Sequence, residues 1–307
     1  MNAAPLPLGL LSDLARACSA CDPGPADAEP RDWFNELLAH QAAARLADQH
    51  AVLARITAAG GQALLAARAG RTVQAWDHIH HARALLGSAG LRPETHRLAH
   101  TLICAQHAYL CYRSDDDAQA QILLAAACRD DVALESLPGY GFLQIHRIQL
   151  LHNVMRIHRT RGRMRPALQL GHALLSYLEH PSPPILAALP EPWNGPWHGS
   201  FPDTPQALVA ALHGQIAAEM VALATAATDP RCLAAALRAL PAGPPSQAAR
   251  WAAFQLARLA GGLQDMMAAA LPLLRQGPVP SRPLWHAAAT GIRTCLAAQL
   301  DLLAQAE

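Results

Sequence analysis

The chain has 307 residues, 52% of them hydrophobic, and its 24 basic and 23 acidic side chains leave a net charge of +1. With no overall field to attract nucleic acid or an anionic membrane, neither is expected as a partner. Every basic residue is arginine, which excludes lysine Schiff-base chemistry and the lysine of a P-loop. Seven cysteines spread over a long chain fit a reducing compartment, so the sequence predicts a cytoplasmic protein.

Alanine and leucine dominate and β-branched residues are scarce, so the sequence predicts helices and no strand. Residues 1–30 are expected to hold one short helix, near 8–18, and a linker, with residues 31–307 forming the main domain. Gly60 and Gly61 are expected to separate two helices. The predicted helical runs are 32–58, 62–69, 72–87, 92–113, 117–128, 141–161, 164–179, 206–227, 230–239, 246–259, 263–275 and 282–305.

The apolar run 207–227 is long enough to span a membrane as a helix. It contains His213, Gln215 and Glu219, which a bilayer core would tolerate poorly. The sequence therefore predicts a buried helix of a soluble protein at this position.

Several predicted helices share a spacing of small residues. A glycine or polar turn is followed five residues later by an alanine, and seven residues after that by a second one. Such spacing lets two helices pack closely. The positions are Ala75 and Ala82, then Ala120 and Ala127, then Ala167 with Leu174 in the second place.

This pattern resembles the tetratricopeptide (TPR) repeat over roughly residues 50–240, although its 45- and 47-residue spacings exceed the family's period of about 34. The resemblance implies an all-α fold in which antiparallel helix pairs stack as a TPR-like α-solenoid. Composition alone would also allow a generic helical bundle.

The resemblance also implies that the first helix of each pair lines a concave groove for extended peptides. Arginine suits such a site because its planar guanidinium binds carboxylates with two hydrogen bonds, so an acidic peptide or partner protein is expected. The alternative is a solvated polar helix face. The groove residues implied in this way are Tyr109, Tyr112, Arg113, Gln149, His152, Arg156 and Arg159.

A second stripe carries histidine and cysteine at helical spacing: His96, His100, Cys104, His107 and Cys111. Such side chains at i and i+4 could share a zinc ion or a haem iron. The TPR register instead puts the last three in the core between helices, and there is no second ligand-bearing helix to name. The sequence therefore predicts a structural stripe and no cofactor. Cys18 and Cys21 have C-x-x-C spacing, but we interpret them as part of a fraying helix end.

Residues 181–205 form a proline-rich insertion that contains Trp193, Trp197 and Phe201. Long loops in compact folds are usually functional or disordered, and three large aromatic residues argue against disorder. The insertion could be a lid or partner contact that places Trp193 and Trp197 at the groove. It could equally be a loop that fills a gap between helix pairs.

Two function classes remain open. The first is a peptide- or protein-binding adaptor or regulatory scaffold with a polar, partly basic groove; no catalytic residue can be named. The second is a helical enzyme, or a metal- or haem-dependent protein, that uses the histidine-rich helices and closes a pocket with the tryptophan loop.

Overall fold

The computed structural model describes residues 33–201, 204–241, 245–277 and 281–304. Of these residues 78% are helical and none lies in a strand, which confirms the all-α prediction. The helix predicted near residues 8–18 and the C-x-x-C pair lie outside the described residues.

Thirteen helices are described, and they are numbered here in chain order. They are α1 (Trp33–Arg45), α2 (His50–Arg68), α3 (Thr72–Ser88), α4 (Pro93–Arg113), α5 (Asp117–Glu135), α6 (Leu143–Thr160), α7 (Met164–Glu179), α8 (Pro183–Ala187), α9 (Gln206–Ala226), α10 (Pro230–Arg238), α11 (Gln247–Ala260), α12 (Leu263–Arg275) and α13 (Arg282–Ala304). They belong to two compact units. The first unit takes in residues 33–161 and 181–208, and the second 162–180 and 209–304.

The first unit is built from neighbouring helix pairs. Helix α2 packs against α3, α4 against α5, and α5 against α6, while α2 and α3 also contact α4. Local chemistry sets the helix starts: Pro93 occupies the first turn of α4, and the Asp116 side chain accepts the backbone N–H of Gln119 to cap α5. Stacked neighbouring helix pairs are thus the architecture of this unit.

The small residues singled out in the sequence lie at close contacts between helices. Ala75, Ala82, Ala120 and Ala127 have no exposed surface. An alanine at such a position keeps the helix axes near one another, since a longer side chain would hold them apart. The alanines that the spacing singles out in the first unit are therefore all buried.

The second unit packs α7 against α10 and α11, and α11 against α12 and α13. Trp251 and Phe254 of α11 are fully buried in its core. Ser246 caps α11 by accepting the backbone N–H of Ala249, and the indole N–H of Trp285 donates to the Leu274 carbonyl at 3.2 Å. These contacts close the core around α11.

Of the described helices, α9 is the one whose length and apolar composition would be enough to cross a membrane. Half of its most apolar window is buried within the structure, and core helices of soluble proteins meet the same criteria. His213 of α9 lies 3.0 Å from the Glu179 carboxylate, and both side chains are buried. That contact is typical of a core helix.

The expected break at Gly60 and Gly61 was wrong, because α2 continues through both glycines and the chain breaks earlier, at 46–49. Gly60 is needed for packing: a Cβ there would stand 2.7 Å from Ile103 Cδ1 of α4 and would also meet Gln106. A Cβ at Gly61 would meet nothing within 4 Å. One of the two glycines therefore allows α2 and α4 to approach.

This difference predicts opposite effects of the same substitution at adjacent positions. Gly61→Ala should raise the free energy of unfolding by about 0.5–1 kcal/mol, because alanine has the higher helix propensity. Gly60→Ala should gain nothing, and Gly60→Leu should lower the melting temperature relative to Gly61→Leu. Equal stabilisation by both alanines in chemical denaturation would contradict the close approach.

Candidate functional site

A small cleft of about 20 Å³ in the first unit brings together three of the predicted groove residues. Tyr109 and Tyr112 of α4 line it with Arg156 of α6, and Leu124 of α5 also contributes. The two tyrosine rings lie 6.4 Å apart, inclined at 49°. Residues predicted on separate helices therefore meet at one place.

Asn153 also lines this cleft and was missed in the sequence. It precedes Arg156 by three positions on α6, so helical spacing alone could have placed it on the same face. Its amide offers both a donor and an acceptor, which is the chemistry that binds a peptide backbone.

The other predicted groove residues do not line the cleft. Arg113 is exposed, and Gln149 and Arg159 are partly exposed. His152 is different, with 8% of its surface exposed, and its Nε2 has no hydrogen-bond partner among the described residues. Burial, helped by the nearby charges of Arg156 and Arg159, lowers its pKa to about 4. His152 is therefore a neutral, buried side chain and not a groove contact.

The histidine and cysteine stripe of α4 borders a separate cavity of about 220 Å³ between α3, α4 and α5. Cys104, His107 and Cys111 are buried, while the His100 side chain is 38% exposed and His96 is exposed. The cavity is lined by Arg83, Leu86, Gly87, His96, His100, Ile103, Cys104, His107 and Leu123.

His100 is held by a carboxylate that the sequence did not connect with it. Its Nδ1 lies 2.5 Å from Asp130 Oδ2 of α5, and this contact, with the neighbouring Cys104, raises the pKa of His100 to about 10. The Sγ of Cys104 lies 3.4 Å from His100 Nε2 and 3.8 Å from Nδ1. At neutral pH the cavity wall therefore carries an imidazolium paired with Asp130 and adjacent to a sulfur.

His107, about two turns further along α4 than His100, is neutral. Burial, together with Arg83 and His80, lowers its pKa to about 4, and its ring packs edge-on against Trp76 at 5.3 Å. Within the described part of the chain, no group of three or more His, Cys, Asp or Glu side chains is arranged to hold a metal ion.

The insertion is anchored to α5 and α6 through Arg147. The guanidinium carbon of Arg147 lies 3.8 Å from the centroid of the Trp197 ring, and Nη1 donates to the Pro196 carbonyl at 2.7 Å and to Glu135 Oε2 at 2.9 Å. Trp197 is 6% exposed and does not line the tyrosine cleft. It makes an internal contact, whereas Trp193 is partly exposed and does not line the cleft either.

The anchor contains buried charge. The Arg147 side chain has no exposed surface and that of Glu135 is 3% exposed, and burial raises the pKa of Glu135 to about 8. His198 of the insertion lies 3.3 Å from the same carboxylate. A buried guanidinium costs desolvation, which the contacts of Arg147 with Glu135, Trp197 and Pro196 help to offset.

The second unit has an apolar cavity of about 580 Å³ between α9, α11 and α13 that the sequence did not indicate. Its wall includes Phe254 of α11 and Gly291 of α13. A Cβ at Gly291 would stand 2.9 Å from the Phe254 ring, so this glycine lets α13 approach α11.

Comparison of the chain with protein-family models, with curated proteins and with solved structures gave no match.

The buried, neutral His152 predicts an acid-sensitive stability. Between about pH 6.5 and 4 the unfolded chain binds a proton that the folded His152 does not, so stability falls as the pH falls. From this group the loss between pH 7.5 and pH 5 should be about 2 kcal/mol. His152→Leu should remove that part, as measured by urea denaturation at both pH values. His81→Leu, at an exposed site, is the control; an unchanged pH dependence in His152→Leu would contradict the assignment.

Proposed function

We propose that the chain is a helical scaffold that binds an acidic peptide, or a carboxylate-bearing segment of a partner protein, at the cleft lined by Tyr109, Tyr112, Asn153 and Arg156. The observation that carries the proposal is the meeting of these four side chains from α4 and α6 around one opening. The stacked helix pairs hold it in place.

Each lining residue supplies a contact that peptide recognition uses. The two tyrosines offer broad, stiff apolar surfaces that end in a hydroxyl. Asn153 can bond to a peptide N–H or C=O, and the exposed guanidinium of Arg156 can bind a carboxylate with two hydrogen bonds. Arg159 and Arg113 add positive charge nearby, while the neutral His152 adds none.

The compartment proposed for this scaffold is the cytoplasm. The cysteines of the described residues, Cys104, Cys111, Cys128, Cys232 and Cys295, are all free thiols, which a reducing compartment preserves.

The test is a selection of random peptides displayed against the purified full chain, followed by affinity measurement. We expect enrichment of Asp and Glu among the selected peptides. Arg156→Ala should weaken their binding about tenfold, because a charge-assisted hydrogen bond contributes at least the roughly 1.4 kcal/mol that one decade requires. The melting temperature should barely change, since Arg156 is exposed.

Arg129→Ala is the matched control, because Arg129 is an exposed arginine of the same unit that does not line the cleft. It should bind the selected peptides like the wild type. Peptides without acidic enrichment, or equal affinities for the Arg156 and Arg129 variants, would contradict the proposal.

A further inference from the structure

The cavity between α3, α4 and α5 contains a sulfur, an imidazole and a carboxylate in contact with one another. Cys104 Sγ lies 3.4 Å from His100 Nε2, and His100 Nδ1 lies 2.5 Å from Asp130 Oδ2. All three side chains belong to the first unit. Neither Cys104 nor His100 lines the tyrosine cleft, so this cavity is a separate site and does not depend on the function proposed above.

Asp130 determines which ring nitrogen of His100 is available to Cys104. Because the carboxylate accepts the Nδ1 hydrogen, Nε2 is the ring nitrogen left for the sulfur. A protonated imidazole held in this way offers the positive charge that a thiolate needs next to it, which is how nucleophilic cysteines are activated.

The other buried cysteines of the first unit provide an internal comparison. Burial raises the pKa of the Cys111 thiol to about 11, and that of Cys128 is raised as well. Cys128 also contacts the Arg147 guanidinium, but burial raises the pKa of this thiol more than that charge lowers it. Neither thiol has an imidazole within hydrogen-bond distance among the described contacts, and both should stay protonated and inert at neutral pH.

The cavity wall indicates the kind of molecule that would reach Cys104. Leu86, Ile103 and Leu123 form an apolar lining, and the cavity volume of about 220 Å³ limits the occupant to a small molecule. Arg83 places a permanent positive charge at the same wall, while the neutral His107 adds a polar group without charge. This combination fits a short apolar body that carries a carboxylate.

We propose that Cys104, paired with His100, is a nucleophile that forms a covalent bond with a small, carboxylate-bearing electrophile in this cavity. The thiolate sulfur donates an electron pair to the electrophilic carbon and an S–C bond forms. The bond from that carbon to the leaving group breaks, and the leaving group departs with the electron pair. His100 can give it a proton, and Asp130 acts as a positioning residue through its contact with His100 Nδ1.

The test is alkylation of the full-length folded protein at pH 7 with iodoacetate and, in parallel, with neutral iodoacetamide. Mass spectrometry of the cysteine peptides gives a rate for each site. We expect Cys104 to react at least tenfold faster than Cys111 and Cys128. We also expect the ratio of the iodoacetate rate to the iodoacetamide rate at Cys104 to be higher in the wild type than in Arg83→Gln.

Three variants separate the roles of the wall residues. His100→Asn should slow Cys104 labelling at least tenfold without changing the rate at Cys232. Asp130→Asn should move the rate–pH profile of Cys104 to higher pH, which a merely structural role of Asp130 would not do. Arg83→Gln, at an exposed position, should lower the iodoacetate rate of Cys104 and leave its iodoacetamide rate unchanged.

Labelling of Cys104 at the slow rate of Cys111 and Cys128 in the wild type would overturn the proposal. So would a Cys104 rate and rate–pH profile that are the same in the wild type and in Asp130→Asn. A fast Cys104 with no preference for iodoacetate would overturn the assignment of a carboxylate-bearing ligand.

Discussion

The buried carboxylate of Asp131 holds the first unit together where both candidate sites are built. It accepts the Thr101 hydroxyl of α4 at 2.8 Å and the imidazole of His146 of α6 at 2.8 Å, and its side chain has no exposed surface. One side chain of α5 therefore ties the helices on either side of it. An unpaired carboxylate at this depth would be costly, so the two donors and the helix arrangement depend on each other.

The tyrosine cleft and the cysteine cavity both follow from this arrangement. The cleft needs α4 and α6 at a fixed separation, because its tyrosines come from one helix and Arg156 from the other. The cavity depends on how α4 and α5 are aligned. His100 contacts Asp130, and the neighbouring Thr101 contacts the neighbouring Asp131, so both contacts rely on the same alignment. Arg147 of α6 attaches the insertion to the same helices through its contacts with Trp197 and Pro196.

Local patterns in the sequence predicted the helices and the buried alanines, since propensity and small-residue spacing act over a few residues. They failed where a distant helix decides the outcome. Gly60 lies within α2 and against the side chain of Ile103, and Asp130 contacts His100 across 30 positions. His152 lies in the groove stripe by spacing, yet it is buried. Such contacts depend on how helices face each other, which helical periodicity alone does not specify.

The most direct test of the central role of Asp131 is amide hydrogen exchange, resolved by helix, in Asp131→Asn and in its neighbour control Asp130→Asn. An asparagine at 131 keeps the shape of the side chain, but its single oxygen cannot accept hydrogen bonds from both Thr101 and His146 as the two carboxylate oxygens do. Asp130, by contrast, is partly exposed and has one partner among the described contacts. The account predicts that Asp131→Asn lowers protection in α4, α5 and α6 together, and by more than Asp130→Asn does. Equal, local effects of the two substitutions would contradict it.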